Sequence, residues 1–225
     1  EEKTAYGISM WLEFRRVLFR SGRTGPDDDR PPLVTTSAVD PLRCRWATAP
    51  CRFDGRRWSA PVVDRAAVAA RSPEVAAWLD RRRRPKLLVA TQTAILEVVV
   101  DPVGDLVPLT PLIVVEPEVD DLWHLAATLS APVTAARAAR RSVGAARTAG
   151  RIKLSAGQVA ALPLPTDRGA WDTGAQMAER LHDLGAGAPA EAWLAFGDAM
   201  GRAYGVHDEG LVSWWWGRHP ARRDA

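Results

Sequence analysis

The sequence predicts an α+β fold: a small mixed or antiparallel sheet packed with helices, followed by an α-helical hairpin. Short apolar runs such as LLVA (87–90) and ILEVVV (95–100) end at turn residues and are typical of strands. After Pro165 the apolar residues recur at helical spacing, with no further strand signal. Residues 1–21 are expected to be an artefact derived from a sequencing adapter, and residues 22–32 a linker. An α+β domain is expected at 33–165, followed by a helical hairpin with a tail at 166–225.

The first half of the α+β domain is expected to consist of extended segments followed by a helix. Residues 33–39 (LVTTSAV) have the β-branched richness of a strand, and residues 43–58 are predicted to be extended, with Asp54-Gly55 at a hairpin tip. A helix should begin at Ser72, with Pro73 in its first position, and end in a run of arginines.

The second half is expected to form one sheet covered by a helix. Strands are predicted across residues 85–117, with a turn at 101–104. Apolar residues between Leu122 and Leu129 fall on one helical face, which should pack on that sheet. Pro132 can start another helix.

The hairpin after Pro165 is predicted from two apolar helical faces. One runs from Trp171 to Leu181 and the other from Trp193 to Ala203, with residues 185–189 as the hinge. The tryptophans 214–216 are expected to cap this hairpin. Among the four histidines, His207 and His219 are assigned to a polar tail.

Several motifs, taken in order, carry a resemblance to a known family. Residues 85–117 contain a Pro-Lys-aliphatic strand and an Asp-x-x-Gly turn, residues 125–129 have a Leu-Ala-Ala-x-Leu pattern, and residues 151–165 lead from Ile-x-x-Ser to Leu-Pro-Leu-Pro. These motifs resemble the C-terminal target-recognition region of bacterial N6-adenine DNA methyltransferases. The similarity continues upstream through residues 33–46 and 56–64.

The resemblance implies the DNA-binding, target-recognition part of a restriction-modification or phage-defence methyltransferase. Its partners would be double-stranded DNA and an N-terminal methyltransferase domain, and the full-length enzyme would use S-adenosylmethionine. That family holds the flipped adenine with an Asn- or Asp-Pro-Pro-aromatic motif. This chain contains no asparagine, and its nearest stretch, residues 29–33 (DRPPL), lacks the spacing and the aromatic ring.

The sequence also lacks the motif that would bind the methyl donor. A methyl-donor site would need a glycine-rich turn after a strand, and the G-x-G at 185–187 lies between two predicted helices. We therefore expect no catalytic residue, no cofactor and no methyl transfer by this chain alone. Residues 12–21 (LEFRRVLFRS) resemble a translated sequencing adapter, so we expect a catalytic domain to have been cut away upstream of Gly22.

DNA recognition needs cations that contact phosphates and polar side chains that reach base edges. The arginine run and the lysine that follows it suit phosphates, although cations also complement a helix end. The polar residues 91–93 suit base edges, although the pattern also fits a polar turn or bulge that joins the two strands. Residues 151–155 alternate polar and apolar side chains. The candidate DNA-binding residues are Arg81, Arg82, Arg83, Arg84, Lys86, Thr91, Gln92, Thr93, Arg137, Arg140, Arg141, Arg151, Lys153 and Ser155.

Composition narrows the remaining function classes. The net charge is +3, and nearly all the positive charge is arginine, which suits phosphate contacts but is also typical of a GC-rich genome. Cys44 and Cys51 have no further ligands nearby, so free thiols are expected rather than zinc. No apolar run reaches membrane-span length, and a cytoplasmic protein with no membrane partner is expected. The alternative function is a protein-interaction module that uses the tryptophan-rich helical end.

Overall fold

The chain has an α+β fold, as predicted from its sequence. The computed structural model describes residues 30–53, 55–90, 92–142 and 151–223. The predictions for residues 1–29, for Asp54 and for Thr91 lie outside the described residues. The described residues divide into two compact units: unit 1 comprises those within Glu1–Ala38, Arg45–Arg84 and Val103–Thr110, and unit 2 comprises those within Val39–Cys44, Pro85–Pro102 and Pro111–Ala225.

The strands and helices are short, apart from two long helices near the C-terminus. The strands are β1 (Leu33–Val34), β2 (Val39–Asp40), β3 (Arg43–Cys44), β4 (Cys51–Phe53), β5 (Arg56–Trp58), β6 (Lys86–Ala90), β7 (Glu97–Asp101), β8 (Val107–Pro108) and β9 (Ile113–Val115). The α-helices are α1 (Arg65–Arg71), α2 (Pro73–Arg81), α3 (Leu122–Ser130), α4 (Pro132–Arg141), α5 (Ala156–Ala160), α6 (Arg168–Leu184), α7 (Ala190–Ala203) and α8 (Glu209–Trp216).

Unit 1 places α1 and α2 on a small apolar core. Helix α2 begins as predicted: Pro73 is at its start, and the Ser72 hydroxyl accepts a hydrogen bond from the backbone N–H of Val75. The hairpin β4–β5 is antiparallel. The core residues of unit 1 are Leu33, Val63, Val68, Val75, Leu79 and Val107.

Two strand predictions in unit 1 are wrong in detail. Residues 33–39 are not one strand, because a 3-10 turn at Thr36–Ala38 separates β1 from β2. Residues 103–110 do not join the sheet formed by their neighbours, because β8 pairs in parallel with β1. Gly104 lies between β7 and β8 and has a φ of +88°, which favours glycine. A Cβ at this position would lie 2.5 Å from the backbone nitrogen of Arg84, so a side chain there is excluded.

Unit 2 is built around a three-stranded antiparallel sheet with the order β7-β6-β9. Leu88 in the central strand lies opposite Val99 and Val114, and every residue of β6 is buried. Helix α3 packs against β6 and β7, which confirms the predicted helix across the sheet. The turn between β2 and β3 also packs on this sheet, because the Leu42 N–H donates to the Val98 carbonyl over 2.6 Å.

A buried ion pair links the two longest strands of this sheet. Lys86 and Asp101 are register partners, and their charged atoms are 2.6 Å apart. Lys86 is 0% exposed and Asp101 is 4% exposed. The prediction that Lys86 contacts DNA phosphates is therefore wrong, since its ammonium group lies inside the protein and faces a carboxylate.

The C-terminal helices form the predicted hairpin, with α8 as a third member. Helix α6 packs on α3 and α7, and α8 packs on α4 and α7. Trp215 is fully buried in this layer, as expected of a residue that caps the hairpin. His219 is also buried, 2% exposed and 4.3 Å from the Trp193 ring, so its assignment to a polar tail is wrong.

A histidine–aspartate pair joins α3 to α6. The His124 Nε2 atom is 2.8 Å from Asp172 Oδ1, and Arg168 donates to the same oxygen over 2.8 Å. The hydrogen bond from His124, and then the charge of Arg168, lower the pKa of Asp172 below its usual value. Because the carboxylate is favoured in the folded state, this contribution to stability exists above the unfolded pKa and is lost as the pH falls through the folded pKa.

We expect Asp172→Asn to be less stable than the original chain at neutral pH, by a small amount because the site is half exposed. The difference should shrink as the pH falls below about 4, where the carboxylate of the unfolded chain becomes protonated. Urea unfolding midpoints of both proteins between pH 7 and pH 3 measure this. A difference that stays constant over that range would contradict the role given to the carboxylate.

Candidate nucleic-acid interface

Residues 151–155 form an extended segment that leads into α5. Arg151, Lys153 and Ser155 are exposed while Ile152 and Leu154 are buried, so the predicted alternation is confirmed. The Ser155 hydroxyl accepts a hydrogen bond from the N–H of Gln158, whose side-chain oxygen accepts one in return from the Ser155 N–H. Ser155 is thus the N-cap of α5, and this capping box fixes where the extended segment ends.

One side of this segment is bound to the loop between β6 and β7. The Ile152 N–H donates to the Thr93 carbonyl over 2.8 Å, and Arg151 Nη1 donates to the Gln92 carbonyl over 3.1 Å. Gln92 is exposed next to this arginine. Thr93 is buried, and its hydroxyl donates to the Ile95 carbonyl. The prediction that Thr93 contacts bases is therefore wrong, whereas Gln92 remains accessible.

The other side of the segment faces the end of α4. In that helix Arg137, Arg140 and Arg141 are exposed, while Ala135 and Ala138 face the core. Positions three and four apart share one helical face, so the three arginines lie on the solvent side. In the sequence, only the spacing of these residues in a predicted helix indicated that they share a side.

Ser142, which is not among the candidate residues predicted from the sequence, connects the helix to the segment. Its backbone N–H donates to the carbonyls of Ala138 and Ala139, which ends α4. Its hydroxyl accepts from the Lys153 N–H over 3.1 Å and lies 3.3 Å from the Lys153 carbonyl, to which it can donate. Ser142 is 3% exposed. Its position after an arginine pair at a helix end was the only signal in the sequence.

These contacts bring together residues that are up to 61 positions apart in the chain. We call the resulting surface, which contains four arginines, one lysine and Gln92, the basic face. Among the described residues, none of its five cations forms an ion pair with a carboxylate. Their charge is therefore available to attract a polyanion. The basic face consists of Gln92, Arg137, Arg140, Arg141, Arg151 and Lys153.

In the arginine run of unit 1, Arg81, Arg83 and Arg84 are exposed and Arg82 is half-buried, and part of the run is engaged within that unit. The Arg82 guanidinium lies over the Trp78 ring at 5.5 Å, and Arg83 is 3.0 Å from an Asp105 carboxylate oxygen. Arg84 also has an interaction within the protein. These arginines remain candidate phosphate contacts, although their existing partners compete with a phosphate for the same donors.

Unit 2 also contains a cavity of about 220 Å³ with charged groups in its wall. It is lined by Asp40 and Arg43, whose charged atoms are 2.5 Å apart, and by Trp193 and His219. Burial, and then the charge of Arg43, lower the pKa of His219 to about 3, so its imidazole is neutral at physiological pH. Because the two charged groups neutralise each other, the cavity suits a polyanion less well than the basic face.

Comparison with known proteins leaves the function to be argued from these residues. The chain matches no protein-family model and no curated protein sequence. In the part of the chain that the structure describes, no helix is both long enough and apolar enough to cross a membrane. Across the same residues, histidine, cysteine and acidic side chains form no group of three that could hold a metal ion.

Proposed function

We propose that this chain binds double-stranded DNA through the basic face, as the target-recognition part of an N6-adenine DNA methyltransferase. One observation carries the proposal. The hydrogen bonds of Thr93, Ser142 and Arg151 join three separate segments, whose five cations form no ion pair with a carboxylate in the part of the chain that the structure describes. Segments that carry no catalytic motif and yet combine their charges in this way suit a docking role.

The chemistry of the face fits a duplex better than a small anion. Four of its five cations are arginines, whose planar guanidinium groups make paired hydrogen bonds to phosphate oxygens and to guanine. Gln92 lies at its edge, and a glutamine amide can pair with adenine in the major groove. We assign the cations to backbone contacts that hold the DNA and Gln92 to base readout.

In this proposal the methyl group is transferred by a separate methyltransferase domain that binds S-adenosylmethionine. The chain itself contributes docking and sequence choice. The resemblance described above for residues 85–117 and 151–165 supports this assignment, and the lack of asparagine in the sequence is consistent with chemistry elsewhere. A restriction-modification or phage-defence setting follows from the same resemblance.

We expect Arg151→Gln combined with Lys153→Gln to weaken binding to every duplex tested. Each phosphate contact releases condensed counterions, so the logarithm of the affinity should fall less steeply with the logarithm of salt, by about two units of slope for two lost contacts. Gln92→Ala should change the preference among sequences and leave the salt slope unchanged. Fluorescence anisotropy with labelled duplexes of differing sequence, from 50 mM salt upward, measures both effects.

The matched control is Arg180→Gln combined with Arg202→Gln, which removes the same charge from exposed positions on α6 and α7. If this control flattens the salt slope as much as the basic-face variant does, binding reflects net charge and the assignment to the basic face is wrong. Methylation of adenine by this chain alone would contradict the docking role. If the unmodified chain binds no duplex at low salt, the tryptophan-rich helical end becomes the candidate functional surface.

A further inference from the structure

We propose that Ser142, whose side chain is buried, is a positioning residue that sets the place of Lys153 on the basic face. The inference rests on the proposed DNA-binding function and deepens it. Ser142 lies between α4 and the extended segment, with its backbone bound to the helix and its hydroxyl bound to Lys153.

The register of the extended segment decides which of its side chains reach the solvent. Consecutive residues of such a segment point to opposite faces, so a shift by one residue would bury Lys153 and expose Leu154. The register must therefore be fixed for the basic face to exist. The Ile152 N–H fixes it on one side through the Thr93 carbonyl.

On the other side of the segment, the Ser142 hydroxyl makes the backbone hydrogen bonds that a neighbouring strand would otherwise supply. It accepts from the Lys153 N–H and can donate to the Lys153 carbonyl, so a single side chain can satisfy both backbone groups of that residue. Because the Ser142 backbone N–H is bound to Ala138 and Ala139, the hydroxyl is held at the end of the helix that carries Arg140 and Arg141. The Ser142 oxygen thus ties Lys153 to the end of the helix that carries these arginines.

The test is a double-mutant cycle in the full chain, with duplex DNA as the ligand. Ser142→Ala should weaken binding by at least about threefold and lower the salt slope by about one, because Lys153 is no longer held in place. In the Lys153→Gln background, Ser142→Ala should have no further effect on affinity. If the two substitutions instead add independently, Ser142 does not act through Lys153 and the inference is wrong.

A general loss of stability is controlled by Asp167→Ala, which removes the N-cap of α6, a helix that carries no residue of the basic face. Its melting temperature should fall while its DNA affinity stays at the original value at temperatures where it is folded. If Ser142→Ala does not fold, Ser142→Cys serves as the second variant, because a thiol is a weak hydrogen-bond donor and acceptor. This variant should bind duplex DNA with an affinity between those of the unmodified chain and Lys153→Gln. An affinity equal to that of the unmodified chain would overturn the inference. If Lys153→Gln alone leaves affinity and salt slope unchanged, the assignment of Lys153 to the interface fails, which is a different outcome from additivity.

Discussion

Replacing Asp101 with asparagine should lower the free energy of unfolding by about 3–5 kcal/mol, because it leaves the buried Lys86 ammonium without its opposing carboxylate. The two charged atoms are 2.6 Å apart, and Lys86 is 0% exposed. Desolvation of a charge is costly unless a partner offsets it. Chemical unfolding followed by circular dichroism measures the loss.

The matched comparison is Lys86→Met combined with Asp101→Leu, which replaces both charges with apolar side chains. A buried ion pair gains little over a well-packed apolar pair, so this double variant should be much closer to the original stability than either single variant. A double variant as unstable as Asp101→Asn would indicate that other partners of these residues dominate. Both residues do have further interactions, so the comparison measures how much the pair itself contributes.

The second large effect is expected at Trp215. This side chain is fully buried between the rings of Trp193, Phe196 and Trp216, with centroids 6.3, 6.3 and 6.4 Å away. Removing so large a side chain leaves a cavity, so Trp215→Ala should lower the free energy of unfolding by about 3–5 kcal/mol. Thermal or urea unfolding checks this value.

Trp214 provides the contrast, since it is half-buried and lies under the Arg218 guanidinium at 4.5 Å. Trp214→Ala should cost much less than Trp215→Ala, because less apolar surface returns to water. Equal losses at the two positions would contradict the packing described for α8. The burial of Trp215 gives this ring a structural role, whereas Trp214 and Trp216 are half-buried and keep part of their surface accessible to a protein partner.

Local signals explain the elements that could be predicted from the sequence. The start of α2 is set by a serine cap and a proline, which act within one turn and need no distant partner. The strands β6 and β7 follow from apolar runs bounded by turn residues, and the alternation at residues 151–155 follows from the period of an extended chain. These predictions depend only on neighbouring residues.

The errors arose where distant contacts decide the structure. Lysine is rarely buried, and the burial of Lys86 depends on strand pairing that places Asp101 opposite it. Strand β8 has two residues, too few to show a pattern, and it is stabilised by pairing with β1, more than seventy positions away. Ser142 is important to the site only because residue 153 returns to the end of α4, which no local pattern indicates.

The most direct test of the basic face is whether bound DNA protects Lys153 from chemical acetylation. Lys153 is exposed and Lys86 is buried, so an amine-reactive reagent distinguishes the two residues in the folded chain. Mass spectrometry of digested protein, labelled with and without saturating duplex DNA and normalised to an added lysine peptide, gives the extent of modification at each site. We predict that DNA lowers the labelling of Lys153 severalfold; equal labelling of Lys153 in the free and DNA-bound chain would contradict the account.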